Sequence, residues 1–170
     1  RTALQAAAHN GHVAAIEALL KAGADVAGLP GNGATPLLAA AQNGHCDAAW
    51  CLIRAGADVR AVADGGQTPL VAASTSGHAA VLQALVKAGA DVRGADGGAA
   101  LRAAAASGHV GAIKALVEAG ADVNAAALDG KTAVLAAAEA GHAATIETLA
   151  RVGADVDAKS VGGGSALILA

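Results

Sequence analysis

Apolar side chains recur along the chain at the spacing of a helix rather than a strand. In three segments a large aliphatic residue is followed three and four positions later by two more: Ile16, Leu19 and Leu20; Leu82, Leu85 and Val86; Ile113, Leu116 and Val117. Because residues three and four apart share one helix face, each segment predicts an α-helix with a single apolar stripe. A polar residue follows the first stripe residue directly, which places it toward solvent.

The stripes belong to a repeat that runs through the whole chain. Gly-His pairs begin at Gly11, Gly44, Gly77, Gly108 and Gly141, which are 33, 33, 31 and 33 positions apart. Each unit opens with a Thr-Pro-Leu-like tripeptide, at Thr2, Thr35, Thr68, Ala99, Thr132 and Ser165. A fixed period of this length is typical of stacked repeat proteins. We therefore divide residues 1–170 as a single domain with units at 2–34, 35–67, 68–98, 99–131 and 132–164, and a partial unit at 165–170.

Each unit has the signals of a helix, a turn, a second helix and a loop. Thr35 is a helix cap followed by Pro36 in the first helical position, where a missing N–H costs nothing. Gly44 suits the left-handed residue that ends this helix, and Gly56 ends the next one. Because neither short helix buries enough surface alone, neighbouring units must share their cores. The pattern predicts an all-α fold, an α-solenoid.

Composition supports close helix packing and excludes several classes of protein. The chain has no Phe, Tyr or Met and one Trp, and alanine supplies most of its 55% hydrophobic content. A net charge of -3 with only 15% charged residues disfavours nucleic acid as a partner. No apolar stretch approaches the roughly 18 residues of a membrane span, so we predict no membrane insertion. Cys46 and Cys51 lie too far apart around a helix to bridge, which indicates a reducing intracellular compartment such as the cytoplasm.

The sequence resembles the ankyrin repeat family over its whole length. The resemblance is carried by the Thr-Pro-Leu openings, the Ala-Ala pairs, Asn-Gly-His at residues 43–45 and Gly-Ala-Asp-Val-Asn at residues 120–124. It implies a curved stack of antiparallel helix pairs with short β-hairpin finger loops. The family's usual His after Thr-Pro-Leu is replaced by Leu38, Val71, Arg102, Leu135 and Ile168. These replacements leave open the hydrogen bond that the family makes at that corner.

We find no signature of catalysis, and we predict a protein that is not an enzyme and has no cofactor or metal. His-Glu-x-x-His, a phosphate-binding loop ending in Gly-Lys-Ser/Thr and Gly-x-Ser-x-Gly are all missing. The histidines of the Gly-His pairs would lie roughly 8–10 Å apart in a stack, too far to share one metal ion. We expect them to start the second helices and to hydrogen-bond across the turn. The Asp of each Gly-Ala-Asp-Val is expected to accept backbone N–H bonds in its own turn.

Two features break the repeat. Trp50 stands where the other units have Glu or a similar polar residue, and two interpretations are open. Its ring folds over the gap left by Ala49, or it is an exposed contact residue on the second helix. The unit that ends at residue 98 is two residues short, and the deletion falls within Arg93–Gly98. This predicts one shortened finger and an intact core.

The resemblance implies a non-enzymatic scaffold that binds a partner protein of unknown identity through the finger loops and the concave first-helix face. Carried over position by position, the partner-binding residues are Leu29, Asn32, Gln42, Asn43, Asp64, Gln67, Thr75, Ser76, Asp96, Ser107, Asp129, Lys131 and Glu139, with Val62 and Leu128 on the same fingers. The alternative is a regulatory or targeting arm of a larger multidomain protein, such as a kinase, a channel or a ubiquitin-ligase adaptor.

Asn124 and the two ends carry further expectations. Asn124 resembles the ankyrin-repeat asparagine that asparaginyl hydroxylases recognise, and the other interpretation is that its side chain supports the finger turn by bonding to the backbone. The chain begins at Arg1 and ends in the apolar run 167–170, from which we expect a longer protein with flanking repeats. Leu4, Leu19 and Leu20 at one end, and Leu167, Ile168 and Leu169 at the other, are expected to be partly exposed.

Overall fold

The computed structural model describes residues 1–27, 34–63 and 65–160, and within these residues the chain forms five consecutive helix pairs. The first helices of the pairs are α1 (Ala3–His9), α3 (Pro36–Gln42), α5 (Pro69–Thr75), α7 (Ala95–Ala106) and α9 (Ala133–Glu139). The second helices are α2 (Val13–Lys21), α4 (Cys46–Arg54), α6 (Ala79–Lys87), α8 (Val110–Glu118) and α10 (Ala143–Arg151). The predicted all-α repeat fold is confirmed. The partial sixth unit lies outside the described residues.

The predicted start and stop signals mark the helix ends. The Thr35 side chain accepts a hydrogen bond from the Leu38 N–H at 3.1 Å, and Pro36 is the first helical residue. At Thr2 the cap is reciprocal, because the Gln5 backbone N–H donates to the Thr2 hydroxyl while the side-chain oxygen of Gln5, Oε1, accepts from the Thr2 N–H. Gly44 follows the first helix of its unit with a φ of 76°, a left-handed conformation that glycine adopts without strain.

The chain divides into two compact units. The first takes Arg1–Ala73 and Ala80–Ala90, and the second takes Ser74–Ala79 and the chain from Asp91 onward. In the first unit α1 packs against α3, and α2 packs against α4. In the second unit α7 packs against α9, and α8 packs against α10. Within each unit, therefore, first helices contact first helices and second helices contact second helices.

Alanine fills much of the space between these helices. Ala8, Ala40 and Ala41 are fully buried beside larger residues such as Leu37 and Leu52. Small side chains permit close approach of the backbones, as the composition predicted. A second set of fully buried alanines lies on α7 and α9, including Ala100, Ala104, Ala105 and Ala137.

The expectation of partly exposed leucines at the start of the chain is confirmed for Leu19 and Leu20 and is wrong for Leu4. Leu4 is buried, with 2% of its surface exposed, because it lies on the face of α1 that turns into the core. Leu19 is half-buried, whereas its equivalent Leu52 is fully buried. Leu167, Ile168 and Leu169 at the other end lie outside the described residues.

The finger loops have the hydrogen bonds of a hairpin but hardly any strand. In one finger the Ala63 N–H donates to the Gln67 carbonyl at 2.9 Å, and in another the Ala127 N–H donates to the Lys131 carbonyl at 3.0 Å. Among the described residues, a lone bridge at Lys159 is all the extended pairing that these loops produce. The loops are too short to propagate a ladder beyond the turn.

The prediction of a shortened finger within Arg93–Gly98 is wrong, because α7 begins at Ala95 and takes up the second half of that segment. Where other repeats have a capping Thr, this repeat has Ala99, whose side chain cannot cap a helix. The helix therefore begins about one turn earlier in the sequence, at Ala95. Gly97 and Gly98 are buried in this extra turn. A Cβ on Gly97 would collide with the carbonyl of Val92, and its distance to the Val92 Cα would be 2.8 Å.

Three of the Gly-His histidines, His45, His109 and His142, join neighbouring helix pairs. They do precede the second helices, but their rings do not bond across their own turn. The ring of His45 lies 3.0 Å through Nε2 from the carbonyl of His9, and the ring of His109 makes the same contact with the carbonyl of Thr75. Because a carbonyl oxygen only accepts, Nε2 carries the proton. Each acceptor ends the first helix of the preceding pair.

The same rings lie against glycines of the preceding pair. A Cβ on Gly11 would approach the His45 ring to 2.6 Å, and one on Gly77 would approach the His109 ring to 2.7 Å. His142 repeats the arrangement on Gly108 and bonds to the Ala106 carbonyl at 3.1 Å. We call this ring-on-glycine contact with its hydrogen bond the Gly-His link.

We predict that breaking one Gly-His link destabilises the fold. His109→Ala removes a hydrogen bond and the ring packed on Gly77, and it should lower the free energy of unfolding by about 1–2 kcal/mol in urea titrations. His12→Ala is the matched control, because the His12 ring is exposed and has no hydrogen bond with any described residue. Equal losses for the two variants would contradict a role in joining the pairs.

We predict opposite effects for two glycine substitutions in helices. Gly97→Ala drives a methyl group into the Val92 backbone and should cost about 1–3 kcal/mol of unfolding free energy. Gly111→Ala, at a helical site with open space around it, should instead gain roughly 0.5–1 kcal/mol. Thermal unfolding followed by circular dichroism measures both changes. A Gly97→Ala variant as stable as the parent would mean that the extra turn of α7 does not form.

Candidate functional site

The predicted binding residues of the first unit form two polar pairs. The Gln42 side-chain amide donates to the side-chain oxygen of Gln67 at 3.0 Å, which joins the end of α3 to the base of a finger. The Asn43 amide lies 3.0 Å from Nδ1 of His9 and also donates to the Ala39 carbonyl at 2.8 Å. A shallow groove of about 230 Å³ runs beside them between α1 and α3. These contacts orient the polar groups of this surface before any partner arrives.

The finger at residues 125–131, in the second unit, is held by several hydrogen bonds. Besides its hairpin bond, the Gly130 N–H donates to the Ala127 carbonyl at 2.9 Å. The Asp129 carboxylate accepts the Lys131 N–H at 3.0 Å, which tightens the tip. Leu128, between these groups, is fully exposed. A large apolar side chain is therefore displayed on an ordered turn.

A groove of about 560 Å³ separates this finger from α7. Ala95 and Gly98, in the extra turn of α7, line one side, and residues 125–129 line the other. Arg102 also lines the groove, and its Nη1 donates to the Ala125 carbonyl at 3.2 Å. The groove thus combines small apolar walls with one guanidinium and an exposed leucine at the tip of the finger.

Lys131 and Glu139, both predicted binding residues, form an ion pair with each other. Their side chains are 36% and 41% exposed, so the pair remains accessible at the surface. Thr75 is exposed, and Ser76 and Ser107 are half-buried where α5 and α7 end. The sequence therefore placed these residues correctly at the ends of the first helices and at a finger base.

Three of the predicted residues, Leu29, Asn32 and Asp64, lie outside the described residues. Asp96 was predicted on a finger, and this is wrong: it lies in the first turn of α7, because the helix has replaced the finger there. Arg102 was noted only as a departure from the family's usual His, and its part in the groove was missed. The replacement of His by Arg at position 102 was the sequence signal from which its role in the groove could have been predicted.

Where a polar residue occupies the position of the family's His on the first helix, it still hydrogen-bonds to the loop that follows the helix pair. Arg102 bonds to the Ala125 carbonyl, and the side-chain amide of Gln5, in the first repeat, donates to the Ala34 carbonyl. In both cases the acceptor lies in the loop that follows the helix pair. Leu38 and Leu135 are buried instead and replace the bond with apolar contact.

The Asp residues that follow the second helices hold their turns as predicted. Asp25, Asp58, Asp91, Asp122 and Asp155 each accept a backbone N–H from two residues further on, at 2.9–3.2 Å. Such side-chain caps of the turn explain all five carboxylates without any catalytic role.

Asn124 does not support its own turn, contrary to one of its two interpretations. Its side chain reaches the turn of the next repeat, where Nδ2 donates to the Gly153 carbonyl at 3.2 Å and Oδ1 accepts the Asp155 N–H at 2.8 Å. Asn124 is exposed, but both ends of its amide are engaged. Its hydroxylation stays a prediction, and a modifying enzyme would have to release these two bonds.

Trp50 fits neither of its two interpretations completely. It is half-buried on the outer side of α4, and Ala49 beside it is fully buried. Together with Val13 of α2, and with Asp47 and Arg54, it lines an open groove of about 580 Å³. One part of the ring is therefore covered while another faces solvent.

The described residues show no cluster of His, Cys, Asp or Glu that could hold a metal ion. Within the same residues no helix is long and apolar enough to cross a membrane. Both cysteines are free thiols, in agreement with the prediction that they cannot bridge.

Paired helices, Gly-His links and finger loops together define a helical repeat protein that has open grooves on its surface. The family model described as "Ankyrin repeats (3 copies)" matches residues 1–63, 51–127 and 101–170. The chain therefore belongs to the ankyrin repeat family. Ankyrin repeats are generally protein–protein interaction modules and typically act as non-enzymatic scaffolds. A comparison with curated proteins gives no match.

We predict that the two cysteines differ in reactivity. Cys51 is buried, and its pKa is raised above the ordinary value by this burial and by the Glu17 carboxylate, which outweigh the opposing effect of Arg54. Because the thiolate is the reactive form, iodoacetamide at pH 7.5 should modify the half-buried Cys46 at least about tenfold faster. Glu17→Gln should lower the pKa of Cys51 and speed its modification. Peptide mass spectrometry measures both rates, and equal rates in the folded protein would contradict the burial.

Proposed function

We propose that the chain is a scaffold that holds a partner protein between its finger loops and its first-helix surfaces. The observation that carries this proposal is the fully exposed Leu128 on an ordered finger beside the groove lined by Arg102. An exposed leucine adds little to folding, whereas its burial against a partner would contribute about 1.5–3 kcal/mol.

The order of the finger matters as much as its exposed leucine. Two backbone bonds and the Asp129 cap already hold the loop, so binding would not incur the entropy of ordering it. Val62, 63% exposed on a finger of the first unit, is displayed in the same way. Each of the two compact units therefore presents an exposed apolar side chain near polar groups that are held in place by hydrogen bonds.

The groove favours an extended peptide segment of the partner. Ala95, Gly98 and the alanines of the finger leave room for a backbone to approach. Arg102 uses one of its five N–H donors on Ala125, and a guanidinium of this kind recognises carbonyl and carboxylate oxygens. We infer that a bound segment places an oxygen acceptor at Arg102 and an apolar side chain at Leu128.

We predict that substitutions on this surface weaken binding and leave the fold unchanged. A library of displayed peptides is selected on the immobilised chain, and selected peptides are then titrated against variants. Leu128→Ser should weaken binding at least tenfold, which is about 1.4 kcal/mol, with no change in melting temperature. Lys131→Glu should also weaken binding, because it replaces the ion pair with Glu139 by two like charges.

Lys114→Glu on α8 is the control, because it changes the same charge on a second helix. It should leave the affinity of every selected peptide unchanged. Peptides that bind Leu128→Ser and Lys131→Glu as well as the parent, or that lose affinity only with Lys114→Glu, would show that the finger surface is not the binding site.

A further inference from the structure

The outer face of α4 carries the one aromatic residue of the chain between two opposite charges. Asp47, Trp50 and Arg54 lie within a sector of about 60° at 3.6 residues per turn, so they share one side of the helix. Asp47 and Arg54 are exposed, and Trp50 is half-buried over the groove that it shares with Val13. We call these three residues the α4 face.

Neither charge of this face forms an ion pair with another described residue. Asp47 and Arg54 are seven residues apart, roughly 10 Å along the axis, which is too far for a bond between them. Other second helices differ: Lys114 and Glu118 on α8 stand four residues apart, close enough to interact on their own helix. No other second helix in the described residues has an aromatic residue at all.

The face is complementary to itself. The midpoint between Asp47 and Arg54 falls beside Trp50, so a second α4 laid antiparallel across it places Asp47 against Arg54 of the second copy, and Arg54 against its Asp47. The two tryptophan rings then meet near the two-fold axis. Contacts of this reciprocal kind are the signature of a symmetric dimer, in which one patch meets the same patch.

We infer that the α4 face is a contact between two copies of this chain. Trp and Arg are the side chains that most often dominate such contacts. A single nine-residue helix covers only part of the roughly 800 Å² per partner that a stable interface buries. The dimer is therefore weak: it forms at high protein concentration and dissociates on dilution.

The charges have a second possible role, because Asp47 lies in the first turn of α4 and Arg54 lies in the last turn. There they complement the helix dipole, whether or not a second copy binds. Charge exchange separates the two roles. Exchanging both residues restores the match between copies, but it reverses the match with the dipole.

The experiment is sedimentation equilibrium over a wide concentration range, with reductant present so that Cys46 cannot cross-link two copies. The parent should dimerise, and Asp47→Arg and Arg54→Asp should each weaken association at least tenfold through like charges. An equimolar mixture of these two variants should associate as tightly as the parent, because each acidic position then faces an arginine. The double variant Asp47→Arg/Arg54→Asp should also regain the dimer, although its melting temperature falls.

Two further variants complete the test. Trp50→Ala should weaken association, and urea titration shows whether it remains folded; if it does not, the charge variants decide alone. Lys114→Glu on α8 should associate like the parent. The inference is overturned by a parent that stays monomeric at every concentration, by single variants that dimerise as well as the parent, or by a mixture that does not recover association.

Discussion

The Gly-His link determines how closely successive helix pairs can stack within each unit. Gly11 ends its helix in a left-handed conformation, and it also leaves the space in which the His45 ring lies. The hydrogen bond from that ring to the His9 carbonyl fixes the orientation of the next pair. Since the link brings the helices close together, the side chains between them must be small, and buried alanines such as Ala40 meet that requirement. The glycine, the histidine and the alanines are thus parts of a single constraint.

Much of the fold follows from signals that act within a few residues. Thr35 and Pro36 start a helix, and Asp58 holds a turn, because each bonds or fits locally. The partners of His109 and Asn124 could not be predicted in this way, because their acceptors lie about thirty residues away and depend on how the pairs stack. The extension of α7 was missed for a related reason. Ala99 carries no start signal, and the fit of Gly97 against Val92 exists only in three dimensions.

The candidate binding surface was predictable to the extent that it follows the repeat. Gln42 and Lys131 lie on the surface where their positions in the unit place them. Arg102 lines the groove beside the N-terminal extension of α7, and a period-based alignment shows the change in that repeat only as a gap of two residues. Trp50, on a second helix, shows the same limit. Departures from a repeat carry information that the repeat itself does not contain, and here both departures coincide with open grooves.

A core built from alanine has a thermodynamic consequence. The heat capacity change of unfolding grows with the apolar area that becomes hydrated, and each buried alanine such as Ala8 or Ala105 exposes much less of it than a leucine would. A small heat capacity change flattens the curve of stability against temperature. For a given stability and melting point, cold denaturation is then displaced to lower temperature, and the enthalpy of unfolding varies little over the physiological range. The same close packing that suits the Gly-His link thereby makes the protein's stability comparatively insensitive to temperature.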